Sequence, residues 1–131
     1  MTQEVTIRNY RRDDLPSLVR LINEADANDK LDRHTTLEEL EHEMGFPTVS
    51  PETDCFLAWA GERLVGQADM YLRKGDPKID KETTIFCFGV VHPEWRRRGV
   101  GRRLLEAAYR RGEEYLAEIE VATVHFQSNT R

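Results

Sequence analysis

Residues 90–102 read VVHPEWRRRGVGR, and no other stretch of the chain is as informative about its structure. An apolar run over 85–91 leads into a short loop rich in Arg and Gly, and an amphipathic run follows from Gly101. The first N–H groups of a helix have no intrahelical acceptor, and the helix dipole makes that end positive. Gly99 and Gly101 have no Cβ, so a ligand oxygen can approach the backbone closely. The stretch therefore predicts a buried strand, an anion-binding loop and a helix.

The loop differs from two other phosphate-binding motifs. No Lys-Ser or Lys-Thr pair follows Gly101, as a P-loop requires, and Leu104 stands where a dinucleotide fingerprint has Gly. Further positive charge surrounds the loop at Arg96, Arg97, Arg98 and Arg102. Taken alone, an Arg-rich helix start can also be ordinary solvated surface, and that alternative stays open.

The N-terminal third predicts a short strand and two helices. Residues 5–8 form the strand pattern. Apolar residues then recur at the i, i+3, i+4 and i+7 positions of an amphipathic helix, at Leu15, Leu18, Val19 and Ile22. Thr36 and Glu39 match a capping box that opens a second helix, and Gly45 and Pro47 stop it.

The remainder predicts four strands and one more helix. The strand patterns are 55–60, 64–73, 85–91 and 119–126. Gly61-Glu62 suits a two-residue hairpin turn between the first two of these strands. The third pattern, 85–91, is apolar and predicts a strand that is buried on both faces. A helix over 101–117 completes the order β-α-α-β-β-β-α-β. Mixed periodicities of this kind indicate a single α/β (α+β) domain over residues 1–131.

The composition fits one acidic domain. The 131 residues include 24 acids and 19 bases, for a formal net charge of −5. A whole-protein nucleic-acid binder would lean towards positive charge. We expect no membrane association, because no apolar run reaches the ~18–20 residues of a membrane span. Cys55 and Cys87 lie in apolar runs, which disfavours a disulfide scaffold and favours a cytoplasmic location. We also expect no metal site, because the four His lack ligand spacing.

The sequence resembles the GCN5-related N-acetyltransferase (GNAT) family. The match is carried by Val91, Pro93, Glu94, Arg96, Gly99, Val100, Gly101, Leu104 and Leu105. These residues look like the family's acetyl-CoA motif, and the element order matches the family's order through its fifth strand. The resemblance implies a mixed, mostly antiparallel central sheet with helices on both faces.

The resemblance also implies a cofactor site for acetyl-CoA as cosubstrate. In the family, the fourth strand splays from the fifth, and the pantetheine arm pairs with exposed backbone of the fourth. Val90 and Val91 would supply that backbone here. The pyrophosphate would be held by Arg96, Arg97, Arg98, Gly99, Val100, Gly101 and Arg102. Asn129 falls where relatives often have an Asn after the fifth strand that helps to fix the cofactor.

The sequence departs from the family at its end. Relatives continue with another helix, which usually carries the Tyr that protonates the leaving thiolate, and with two more strands. We therefore expect the domain to be C-terminally incomplete, as the first part of a longer or tandem acyltransferase. A missing C-terminal portion or a homodimer would then cover the edge of the last strand. We interpret Tyr109 and Tyr115 as packing residues.

No convincing general base is visible. The strand 85–91, where many relatives have a Glu, contains no acid. Asp69 is a weak candidate base, against the alternative of a solvent-facing Asp on the polar face of its strand, and Glu120 is similar. Cys87 is interpreted as inert packing.

The leading hypothesis is an N-acetyltransferase that transfers acetyl directly to the primary amine of a small molecule or peptide, although the isolated chain is expected to be a poor catalyst. One alternative is a non-catalytic CoA-binding module of a larger protein. A remote alternative is nucleic-acid binding through the patch Arg96–Arg111, whose excess of positive charge is modest. Acids outnumber bases over residues 26–43, which favours a cationic acceptor.

Overall fold

The computed structural model describes residues 4–47, 49–73, 82–118 and 123–130. Within them the strands are β1 (Val5–Asn9), β2 (Cys55–Ala60), β3 (Arg63–Arg73), β4 (Glu82–Val91) and β5 (Thr123–Thr130). The α-helices are α1 (Leu15–Asn28), α2 (Leu37–Met44), α3 (Pro51–Asp54) and α4 (Val100–Glu118). Short 3-10 turns occupy Arg12–Asp14 and Pro93–Trp95. None of the helices described is long and apolar enough to cross a membrane.

The strands form one sheet in the order β1-β2-β3-β4-β5. Each pair from β1 to β4 is antiparallel, and β5 runs parallel to β4. Gly61 adopts a φ of 63°, the positive value that the predicted hairpin turn needs at its first position. The predicted mixed, mostly antiparallel sheet is confirmed.

Helices cover both faces of the sheet, as expected. On one face Leu18 and Leu21 of α1 pack with Leu57 of β2, and all three are essentially inaccessible to solvent. On the other face α4 lies close to β3 at Gly66, where a Cβ would come within 2.8 Å of a Leu104 methyl carbon. The bare backbone at Gly66 therefore sets how closely α4 approaches the sheet.

One prediction about β4 is wrong. The strand is not buried on both faces, because Phe88 remains 43% exposed. The core beneath α1 and α2 extends to Val90 on β4 but does not include Phe88. The sheet face at Phe88 is thus left open beside the helices.

Several predicted boundaries shift. β4 begins at Glu82, three residues before the apolar run, and α4 begins at Val100. β5 covers Thr123–Thr130 instead of 119–126. Residues 119–122, with the candidate Glu120, and residues 74–81, between the predicted strands 64–73 and 85–91, lie outside the described part of the chain. The short helix α3 was missed because its four residues are too few to show helical periodicity.

Candidate functional site

The segment between β4 and α4, residues 92–99, is called the β4–α4 loop. Its backbone turns through left-handed conformations at Arg97, with a φ of 66°, and at Gly99, with a φ of 83°. The first backbone hydrogen bond of α4 runs from the Arg103 N–H to the Gly99 carbonyl at 3.2 Å. The N–H groups that precede Arg103 are therefore the open donors of a helix N-terminus. The predicted strand, loop and helix are in place.

The Arg96 side chain anchors this loop. Its two terminal nitrogens donate to the Asp29 carboxylate at 2.7 and 2.9 Å, just beyond the last residue of α1. Its Nε donates to the Val91 carbonyl at 3.0 Å. Because the guanidinium fork is engaged by the protein itself, Arg96 contributes to the loop as a tie between α1 and the end of β4. The Val91 carbonyl is engaged by the same contact.

The other predicted loop residues are distributed between surface and core. Exposed side chains occur at Arg97, Arg98 and Arg102, and the Arg98 guanidinium lies 4.9 Å from the centroid of the Trp95 ring. Val100 is 3% exposed and packs in the core beneath α4, so only its backbone faces the loop. A Cβ built at Gly99 would meet no atom within 4 Å, so this backbone borders open space.

His92 provides a second anchor at the base of the loop. Its Nδ1 accepts the Glu94 N–H at 3.2 Å, so in the neutral ring Nε2 carries the proton and donates to the Glu24 carboxylate at 2.6 Å. The His92 N–H donates to the Val65 carbonyl at 2.8 Å. The β4–α4 loop is thus fixed to α1 at two points, Asp29 and Glu24. Nothing in the local sequence pairs either acid with its partner.

A cleft of about 440 Å³ opens beside the end of β4 on the α1 face, and we call it the β4 cleft. It is lined by Ile22, Leu31, Arg33, Gln67, Phe88, Gly89 and Val90. Of the two strand residues predicted to meet the cofactor, Val90 lines this cleft, whereas the Val91 side chain packs in the core on the α4 face.

The strand β5 ends beside this cleft. It pairs with β4 continuously from Glu82–Thr123 to Gly89–Thr130, so the expected separation of the two strands is not seen within the described residues. Asn129 was expected after the strand, but it lies inside β5, opposite Phe88. The difference follows from the later start and end of β5. Its contact with a cofactor stays a prediction.

Asp69 lies in the middle of β3, opposite Cys55 on β2 and Phe88 on β4. Its side chain is half-buried and not solvent-facing, so the solvated alternative is wrong. Burial raises the pKa of this carboxyl to about 6, and the nearby Glu43 and Asp54 add to the rise. Hydrogen bonds from Cys55 and Gln67 act in the opposite direction by stabilising the carboxylate.

The contacts of Asp69 connect it to the β4 cleft. Gln67, which is hydrogen-bonded to Asp69, lines the cleft directly. Burial raises the pKa of the Cys55 thiol well above its usual value, so the thiol stays protonated and can donate to Asp69. The arrangement holds a carboxyl with a pKa of about 6 beside Gln67 and Phe88, two residues that line the cleft.

The remaining reactive side chains are packed elsewhere. Cys87 is 1% exposed in the core on the α4 face, and burial raises its pKa to about 11. The Tyr115 hydroxyl donates to Asp54 at 3.1 Å, which ties α4 to α3. Tyr109, by contrast, is 45% exposed on α4, so the structure does not place it among the packing residues as expected from the sequence.

A profile of the acetyltransferase (GNAT) family matches residues 13–131. The chain belongs to the GNAT family. No curated protein sequence matches this GNAT chain significantly. Among solved structures, a GCN5-related N-acetyltransferase from Sphaerobacter thermophilus superposes with a TM-score of 0.74 at 18% identity. The match covers 92% of this chain and 36% of that one, so this chain spans about a third of that protein's length.

Two aminoglycoside acetyltransferases have the same fold as this GNAT domain. AAC(6')-Iy in complex with CoA superposes with a TM-score of 0.66 at 21% identity over 100% of this chain and 80% of its own. An enzyme from an uncultured soil metagenomic sample, in complex with sisomicin, gives 0.62 at 18% identity over 95% and 78%. At such identities the likeness establishes the fold alone.

Proposed function

We propose that this GNAT chain is an acetyl-CoA-dependent N-acetyltransferase that transfers acetyl to the primary amine of a small molecule or peptide. The observation that carries the proposal is the anchored β4–α4 loop, whose open helix donors lie near the end of β4, the strand whose other face lines the β4 cleft. Relatives of the same fold have been solved with CoA and with an aminoglycoside. We also propose a cytoplasmic location, in keeping with the free cysteines Cys55 and Cys87.

The loop suits the pyrophosphate of CoA. Backbone N–H groups at the start of α4 would bind its oxygens, and the exposed cations Arg97, Arg98 and Arg102 would add attraction. Arg96 would act as a positioning residue, because its fork is held by Asp29. The pantetheine amides would pair with backbone groups of Val90 and with the N–H of Val91 beyond the last β5 partner, since the Val91 carbonyl accepts from Arg96.

The transfer requires a neutral amine and a protonated leaving group. The amine nitrogen attacks the thioester carbonyl carbon, a C–N bond forms, the C–S bond breaks, and the CoA thiolate takes up a proton. Asp69 would accept the proton that the amine loses, directly or through a water. With a pKa of about 6 the carboxyl is mostly ionised at pH 7 yet basic enough to hold that proton.

Calorimetry with CoA tests the site. Gly101→Glu adds a side chain and a negative charge at the first turn of α4, where phosphate is expected, and should abolish detectable binding. An acid in the first turn suits the helix dipole, so folding should be retained. Ala117→Glu adds the same group at an exposed position near the other end of α4 and is the control. Equal CoA affinity in all three proteins would contradict the site.

A thiol-release assay separates the enzyme from the non-catalytic module. Wild-type protein with acetyl-CoA and a panel of amines should release CoA at a rate that depends on the amine. Tight CoA binding without amine-dependent release would instead support the binding module.

A further inference from the structure

One arginine forms part of the wall of the β4 cleft. Arg33 lies in the connection between α1 and α2, lines the cleft, and keeps 57% of its side chain exposed. Its Nε and Nη2 donate to the two oxygens of Asp26 at 3.0 and 3.2 Å. That pair does not use Nη1, so the exposed edge of the guanidinium keeps donors for a ligand.

The connection around Arg33 is fixed on both sides. Before it, the Leu31 N–H donates to the Asp26 carbonyl at 2.9 Å. After it, Thr35 and the Asn23 side chain exchange two hydrogen bonds of 2.8 Å each. The guanidinium is therefore held in one orientation before any ligand arrives, which lowers the entropy lost on binding.

Two acids near this wall are already paired with arginines. Asp26 is fully buried beneath Arg33. Asp29, the next acid along the chain, is paired with Arg96. Among the described residues that line the cleft, Arg33 is thus the charged side chain, while the exposed acid Asp32 precedes it along the chain outside that lining.

An apolar surface adjoins the same cleft. Phe88 and Tyr71 are 43% and 39% exposed, with their ring centroids 5.8 Å apart in an edge-to-face arrangement. Phe88 also stacks with Phe86 at 6.2 Å. Asp69 is the cross-strand neighbour of Phe88. A ligand on Phe88 would therefore lie near the Asp69 carboxyl and in the same cleft as the Arg33 guanidinium.

We propose that the acceptor is an amine that also carries a carboxylate and an apolar group, in the manner of an apolar amino acid. Arg33 binds the carboxylate, Phe88 contacts the apolar group, and the amine is directed towards Asp69. The inference rests on the proposed acetyl transfer and specifies its substrate class.

Matched ligand pairs test this assignment by equilibrium binding to the CoA-loaded protein. Phenylalanine and phenethylamine differ by one carboxylate, as do tryptophan and tryptamine. We expect the amino acid of each pair to bind roughly tenfold tighter than its decarboxylated amine, or more. This is the size of one charge-assisted hydrogen bond. Arg12→Gln, at an exposed residue distant from the cleft lining, should keep that ratio.

The Arg33 variants must also deal with the buried Asp26. Arg33→Gln alone removes the cation that pairs with that buried carboxylate and can unfold the protein, so the Arg33→Gln/Asp26→Asn double variant removes both charges together. The double variant should bind the amino acid and the amine of each pair equally. Arg33→Lys should keep part of the preference for the amino acid. Equal binding in wild type, or an unchanged ratio in the double variant, would overturn the proposal.

Turnover separates this inference from the proposed function. Acetylation of phenethylamine and tryptamine as efficiently as of phenylalanine and tryptophan would overturn the proposed acceptor class. It would leave the proposed acetyltransferase activity intact. An Arg33-dependent binding preference without acetylation of any amine would support the carboxylate subsite and count against the acetyltransferase.

Discussion

The β4–α4 loop and the β4 cleft each contain an Arg–Asp ion pair, and the two pairs have different roles. At the loop, Arg96 is the partner of Asp29, and its fork is consumed in holding the backbone in place. At the cleft, Arg33 is the partner of Asp26, and its outer edge stays open to solvent. Both acids belong to the C-terminal end of α1 or the residue after it. An arginine in a binding region is therefore a scaffold or a ligand contact depending on which of its donors remain exposed.

The two regions also differ in which parts of the chain form them. The loop presents backbone donors made by consecutive residues, and side chains hold it. The cleft gathers side chains from α1, the connection after it, β3 and β4. Changes at the loop should therefore alter cofactor affinity, and changes at the cleft should alter the chemical step or the acceptor.

The largest effect is expected at Asp69. Asp69→Asn removes the proton acceptor, so kcat should fall roughly 10²–10³-fold while CoA affinity stays unchanged. In wild type, activity should rise with pH through about 6, where the carboxyl ionises, and the variant should lose that rise. A pH profile of kcat/KM checks both points. An unchanged kcat would exclude Asp69 as the base.

Asp69 also couples stability to pH. Its folded pKa lies above the ordinary value, so the folded protein holds the proton more tightly and becomes less stable as pH rises from about 4 to 6. At pH 7 the Asn variant should then be about 1–3 kcal/mol more stable than wild type, and at pH 4 this difference should vanish. Denaturation at both pH values measures the difference.

The loop could be predicted from the sequence because its information is local. The apolar strand, the spacing of Gly99 and Gly101, and the helix that follows lie within consecutive residues. The Arg96 side chain shows where this stops, since its partner Asp29 is 67 residues away. The family resemblance implied that Arg96 holds the pyrophosphate, and only the fold reveals its ion pair with Asp29.

The cleft could not be predicted in the same way. Asp69 alternates with apolar neighbours as a solvent-facing residue would, and its burial depends on Cys55 and Phe88 from adjacent strands. Phe88 shows the reverse difference between prediction and structure. Its apolar run predicts burial on both faces of the strand, but the helices leave the face at Phe88 open. Arg33 carried no local signal, since its role depends on the buried Asp26 beneath it.

A smaller effect is expected at the loop anchor. Arg96→Ala removes the tie to Asp29 and Val91, which should weaken CoA binding about 10–100-fold, or roughly 1–3 kcal/mol. Because the loop does not touch the reacting atoms, KM for acetyl-CoA should rise while kcat at saturation stays near wild type. Arg96→Lys should not restore affinity, because an ammonium cannot form the bidentate pair.

Arg12→Ala is the matched control for this anchor. Its pair with Glu41 spans 3.4 Å between two exposed side chains, so its removal should change stability and affinity by no more than about 0.5 kcal/mol. A fall in kcat at saturating acetyl-CoA in Arg96→Ala would contradict the separation between loop and cleft.

The smallest effect is expected at Gly99. Its φ of 83° is one that side-chain-bearing residues rarely adopt, so Gly99→Ala should lower the free energy of unfolding by about 1–2 kcal/mol. No protein atom lies within 4 Å of the new Cβ, so steric overlap adds nothing to this cost. If the pyrophosphate approaches the backbone here, the methyl group should also weaken CoA binding beyond what the lost stability explains. Gly45→Ala is the matched control, since it has a φ of −92° and only ordinary contacts at 3.5 and 3.6 Å, and it should be near neutral. Chemical denaturation and CoA calorimetry on both variants measure the two effects separately. A Gly99→Ala protein that is destabilised but binds CoA as wild type does would mean that the glycine serves only the turn, and that the phosphate lies farther along α4.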